Sequence, residues 1–136
     1  MTVITSQKLN LKEFLKLPET KPASEYINDE IIQKPITKGR HSRLQGKLCT
    51  AINQVVEDKK IAYAFPELRC TFGGRSIVPD IAVFRWDNIA FTTEGEVPDN
   101  FENSPDWTIE ILSPDQKPNK VIGNILHCLE HGTRLG

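Results

Sequence analysis

Two acidic residues stand inside apolar, β-branched runs. Asp80 interrupts RSIVPDIAVF at residues 75–84, and Glu110 interrupts WTIEIL at residues 107–112. Taking an unpaired carboxylate out of water costs roughly several kcal/mol or forces it to protonate. Each acid therefore needs a hydrogen-bonding partner, a counter-charge or a bound cation. Geometry adds a third acid. Gly73-Gly74 separates two strand-like runs, 61–72 and 75–84, and the pair predicts a two-residue hairpin turn. Residues across such a turn pair at a constant index sum, which sets Glu67 opposite Asp80 on one face, with Cβ atoms roughly 4.5–5.5 Å apart. Like charges at that spacing repel unless something positive lies between them. A bulge at Pro66 would break the register.

The remaining segments must build the scaffold for these acids. Asn10 caps a helix predicted over 11–17 that Pro18 ends. Strands at 24–27 and 30–34 flank Asn28-Asp29, residues that tolerate the positive φ of a tight turn. Glu25, in the first of them, reads as a solvated edge residue rather than the alternative, a site residue. A basic loop follows, with Lys34, Lys38 and Arg40. Leu44, Leu48, Ile52 and Val55 recur at helical spacing, and Ser42 with Gln45 predicts a capping box, so an amphipathic helix is expected from Ser42 to about Asp58. His41 precedes that cap; it reads as a loop histidine, or as one that meets a phosphate or a carboxylate. Residues 87–105 are polar and turn-rich, and predict a surface loop long enough to shape a binding surface.

A final helix is expected over 119–131, stopped by Gly132. Its helical wheel gathers Ile122, Ile125, Leu126 and Leu129 on one side, expected to pack on the sheet. Lys120, Asn124, His127 and His131 form the opposite stripe, either solvated or with its first turn over the acidic strands. A zinc site at His127 and His131 would need further ligands that the sequence does not supply.

With 136 residues, 38% hydrophobic and 26% charged, the chain suits one globular domain. A formal net charge of -1 neither favours nor excludes nucleic acid as a partner. No run reaches the roughly 18 apolar residues of a membrane span, and the N-terminus lacks a secretory pattern, so a cytoplasmic, non-membrane protein is expected. Cys49, Cys70 and Cys128 are widely spaced among apolar neighbours and read as reduced core thiols.

In order, SEYINDEII at 24–32, the helix opening with His41, VPDIAVF at 78–84, TIEILSPD at 108–115 and the helix ending in Gly132 resemble the PD-(D/E)XK nuclease superfamily. The resemblance is to its restriction endonuclease-like branch, over roughly residues 9–136. It implies an α/β fold of the α+β mixed-sheet kind, a central sheet flanked by helices with the acids at one end. It also implies an endonuclease, a phosphodiester hydrolase that cleaves DNA through a water activated by Mg2+ or Mn2+. Asp80 and Glu110 would be metal ligands, with Glu67 a third ligand or a water-positioning group. Oxygen ligands suit such hard cations, and the ion would neutralise the charge between Glu67 and Asp80.

Three departures follow from the same comparison. The superfamily's lysine, two residues after the glutamate, is Leu112 here. The alternative lysine position of this branch, on the last helix, is Asn124. Lys120, one turn earlier on the same face, is the substitute expected to act in catalysis. The branch also continues into a further strand after its glycine, whereas this chain stops at Gly136. That reading predicts a shortened domain with an open sheet edge, which favours a homodimer. The other functional reading is a catalytically impaired nuclease fold that binds DNA or protein.

Overall fold

Turn residues cut the first half of the chain into short strands. The structure is a computed structural model that describes residues 9–136. Asn10 and Glu13 form a reciprocal capping box on α1 (Leu11–Phe14), which ends one turn earlier than the sequence predicts. β1 (Ser24–Ile27) and β2 (Glu30–Gln33) then turn at Asn28 and Asp29, whose φ angles of 51° and 64° lie in the left-handed region. The hairpin is the one the sequence indicates.

β3 (Ala62–Pro66), β4 (Cys70–Phe72), β5 (Arg75–Ile77) and β6 (Ile81–Arg85) come from the two runs around Gly73-Gly74. Phe72 pairs with Arg75, Cys70 with Ile77 and Pro66 with Ile81, so the index sum stays at 147 from the turn to the far end. The register holds without a bulge, and Glu67 does oppose Asp80, to whose carbonyl its N–H donates at 3.2 Å. The pairing nevertheless splits in the middle. Glu67 adopts φ 47°, and Pro79 has no N–H to give a ladder. As a result β4 and β5 belong to a four-stranded sheet ordered β2-β1-β5-β4. β3 and β6 join β7 (Trp107–Ile109) in a second sheet ordered β3-β6-β7. The α+β class stands, but the expected central mixed sheet is two antiparallel sheets, with Glu67 and Asp80 at the break between them.

α2 (Gly39–Val56) packs Leu48, Cys49, Ile52 and Val56 against Ala62, Ala64, Ile81 and Val83 of the second sheet. It begins before the predicted Ser42 cap. Lys38 is the N-cap and offers no side-chain bond, while the Ser42 N–H donates to the Lys38 carbonyl at 2.9 Å. Ser42 is thus inside the helix, and Gln45 is released for another role. Leu44 and Val55, expected in the core, are exposed.

α3 (Pro118–Glu130) turns the opposite way from the sequence expectation. Asn124, His127, Val121 and Cys128 are buried, whereas Ile122, Leu126 and Leu129 are exposed. The polar stripe faces the sheets because partners wait there: the Glu25 carboxylate for Lys120 and Asn124, and the Phe72 carbonyl for His127.

The 87–105 segment is anchored rather than free. Ile89 and Phe101 join Cys70, Ala82 and Phe84 in a second core cluster, and Phe101 bridges Cys70 in parallel. Leu135 forms a parallel bridge to Trp107 at the outer side of β7. The three cysteines are free and buried. Among the described residues, no helix is long and apolar enough to cross a membrane.

Candidate active site

Asp80 sits where β6 leaves the sheet junction, buried and fully engaged. Its Oδ1 accepts from Lys34 Nζ at 3.1 Å. Its Oδ2 accepts from the Ile111 N–H at 2.8 Å and lies 3.2 Å from His41 Nε2. The Asp80 N–H donates to Glu110 Oε1 at 2.8 Å. The two strand acids therefore converge, as their sequence setting suggests.

Glu67 approaches the same carboxylate from across the junction. Lys34 Nζ bridges the pair, 3.2 and 3.3 Å from the two Glu67 oxygens. The positive group required between the two acids is an ammonium from the end of β2. Burial pulls the Lys34 pKa down, but the carboxylates of Asp80, Glu67 and Glu110 outweigh it and hold the group above its usual value. Gln45 Nε2 donates to Glu67 Oε1 at 3.2 Å and to the Asp80 carbonyl at 2.6 Å.

Glu25 is not the solvated edge residue that its sequence setting suggests. β1 lies between β2 and β5, and Glu25 is 1% exposed. Its Oε2 accepts from the Val78 N–H at 2.7 Å and its Oε1 from Lys120 Nζ at 2.7 Å. Asn124 Nδ2 lies 3.5 Å from both carboxylate oxygens, and Arg75 Nη1 donates to Asn124 Oδ1 at 3.3 Å. Lys120 is therefore brought to the site region but tied to Glu25.

Asp80, Glu110, His41, Lys34 and Lys120 line one small cavity of about 10 Å³, room for roughly one water-sized particle. Burial, reinforced by the Asp80 charge, pushes the Glu110 carboxyl up to about 7. Among the described residues the Asp80 N–H is its one hydrogen-bond partner. His41 Nδ1 is buried with no partner there. A divalent ion suits this donor set, because it would supply the charge that Glu110 lacks. No group of three or more His, Cys, Asp or Glu side chains is gathered to hold a metal among the described residues. An ion here would rest on two carboxylates and keep water ligands, as magnesium commonly does.

The histidine pair on α3 serves packing. His127 stacks on Phe72 and its Nε2 lies 3.0 Å from the Phe72 carbonyl, while His131 Nδ1 lies 2.8 Å from the His127 carbonyl. Burial lowers the His127 pKa.

The sequence profile of the Uma2 family, described as "Putative restriction endonuclease", matches residues 11–136. The chain belongs to the Uma2 family. A crystal structure of a protein titled a putative nuclease belonging to DUF820, from Anabaena variabilis, is similar at 59% identity and a TM-score of 0.90. The match covers 92% of this chain and 70% of that one. No curated protein matches. Family and structural likeness together support a nuclease-type function. In this Uma2 chain the two expected lysine positions are Leu112, which is half exposed, and Asn124, which is buried against Glu25.

The sequence does not single out Lys34 or Gln45 as site residues and sets Glu25 as a solvated edge residue, whereas of the settings it offers His41 the structure shows the one against a carboxylate. The signal for Glu25 was an acid between two strand residues that are themselves inside a sheet.

Proposed function

We propose that the protein is a metal-dependent endonuclease that hydrolyses DNA phosphodiester bonds, with Mg2+ or Mn2+ held by Asp80 and Glu110. The observation that carries this reading is the convergence of those two carboxylates on one small cavity, with Glu110 short of a counter-charge. When bound, the ion supplies neutralisation of phosphate charge and a water acidified toward hydroxide. The protein's own groups do the rest. Asp80, fixed by the Ile111 N–H and His41, presents a carboxylate that cannot swing away. Lys120 contributes an ammonium at the cavity wall, steered by Glu25. The uncapped positive end of α2, with Lys38 and Arg40 beside it, favours a phosphate backbone.

Two observations favour a second reading, a nuclease fold that binds nucleic acid or protein without cutting. Lys120 donates to Glu25 rather than into the cavity, and Asn124 stands where the resemblance expects a lysine. Nicking or linearisation of plasmid DNA with Mg2+ or Mn2+, lost in Asp80→Ala and in Glu110→Ala, is the expected result. Cleavage that survives both substitutions sinks the assignment. DNA binding without cleavage, unchanged by Asn124→Lys, favours the second reading.

A further inference from the structure

Lys34 is held more tightly than a lysine that merely lines a cavity. Its Nζ has four oxygen neighbours: Asp80 Oδ1 at 3.1 Å, the Glu67 oxygens at 3.2 and 3.3 Å and the Val78 carbonyl at 2.7 Å. The side chain is 11% exposed. Two carboxylates and a backbone carbonyl around one buried point are the donor chemistry that hard divalent cations select. Here an ammonium fills it. Three N–H donors facing three acceptor groups leave none to orient a water or a phosphate, so Lys34 is not the lysine that Leu112 and Asn124 fail to supply. Gln45 fixes Glu67 from a second side. Glu110 stands apart from this cage, bonded to the Asp80 N–H.

We propose that Lys34 is a built-in cation that occupies the position between Glu67 and Asp80. It limits the site to a single divalent ion on the Glu110 side of Asp80. Glu67 is then the partner of Lys34 and not a metal ligand. The inference rests on the reading of Asp80 and Glu110 as metal ligands, and it adds a specific residue that sets metal stoichiometry. Removing the ammonium leaves two facing carboxylates and a carbonyl with no counter-charge, a vacancy that a second divalent ion would fill.

The test is Mn2+ binding to the purified chain, by calorimetry and by the loss of the free-ion electron paramagnetic resonance signal, with circular dichroism to check folding. Wild type is expected to bind one Mn2+ per chain. Glu67→Gln keeps the shape of the side chain and is expected to bind one, with Kd changed by no more than about threefold. Lys34→Ala is expected to bind a second Mn2+. A wild type that binds two overturns the assignment of Lys34 and leaves Asp80 and Glu110 as ligands. So does a Glu67→Gln chain that loses about tenfold or more in affinity, or a folded Lys34→Ala chain that binds only one. If Lys34→Ala does not fold, wild type and Glu67→Gln still decide the matter. A wild type that binds none overturns the underlying Asp80–Glu110 reading, and the Lys34 assignment with it.

Discussion

Asp80 and Glu110 each hold the other's strand by its backbone. The Asp80 N–H donates to Glu110 Oε1 at 2.8 Å, and the amide after Glu110, the Ile111 N–H, donates to Asp80 Oδ2 at 2.8 Å. The same carboxylates that would bind an ion thus clasp the start of β6 to the end of β7. Glu110→Ala strands the Asp80 N–H in a part-buried place, which costs about 1–3 kcal/mol. Glu110→Gln keeps an acceptor oxygen there and is expected to spare most of that loss. Both should lose metal-dependent cleavage. Urea denaturation of the two variants separates the structural part from the chemical one.

The Glu110 carboxyl also predicts a pH dependence. Its folded value of about 7 lies above the ordinary 4.5, so between those values the folded state binds more protons than the unfolded state. Stability without metal should therefore fall as pH rises from about 4.5 to about 7, by at most ~3 kcal/mol. Glu110→Gln should flatten this slope. Divalent ions need the ionised carboxylate, so their affinity should weaken as pH drops below about 7. Thermal melts across pH, with and without Mn2+, measure both.

Lys120 and Glu25 give a prediction about compensation within α3. Glu25 is 2% exposed at its side chain and Lys120 is 23% exposed. Lys120→Ala therefore leaves a buried carboxylate without its ammonium, a loss of about 3 kcal/mol. Asn124 already lies 3.5 Å from both Glu25 oxygens, so a lysine at 124 can reach the same carboxylate. The double variant Lys120→Ala with Asn124→Lys should recover most of the stability, read as the coupling in a double-mutant cycle.

What the sequence made legible was local. The Gly73-Gly74 turn fixed the register of Glu67 on Asp80 because pairing across a hairpin is arithmetic, and Asn28-Asp29 gave the first hairpin for the same reason. The α3 wheel separates Ile122, Leu126 and Leu129 from Lys120, Asn124 and His127, yet the apolar side it sets against the sheet is the one the structure leaves exposed. The choice of face depends on Glu25, 95 positions before Lys120 in the chain, and on the Phe72 carbonyl. Lys34 was hidden likewise, since its partners Asp80 and Glu67 lie 46 and 33 positions away. Periodicity reports neighbours within a turn or a pleat, and this site is assembled across them.

The docking of α3 on the hairpin gives the last prediction. Gly73 and Gly74 both have positive φ, at 58° and 81°. A Cβ at Gly74 would meet open space, so Gly74→Ala bears only the left-handed backbone cost of about 1–2 kcal/mol. A Cβ at Gly73 would instead collide with the rings of His131 and His127. Gly73→Ala should therefore cost about 1–3 kcal/mol more than Gly74→Ala. The collision pushes on the helix that presents Lys120 and Asn124 to Glu25, whereas strain at Gly74 does not. If Lys120 acts at the cavity, Gly73→Ala should lower cleavage more than Gly74→Ala even where both chains are fully folded. Denaturation curves beside plasmid-nicking rates at one temperature make the comparison, and equal rates for the two folded variants would show that the seat of α3 does not govern the site.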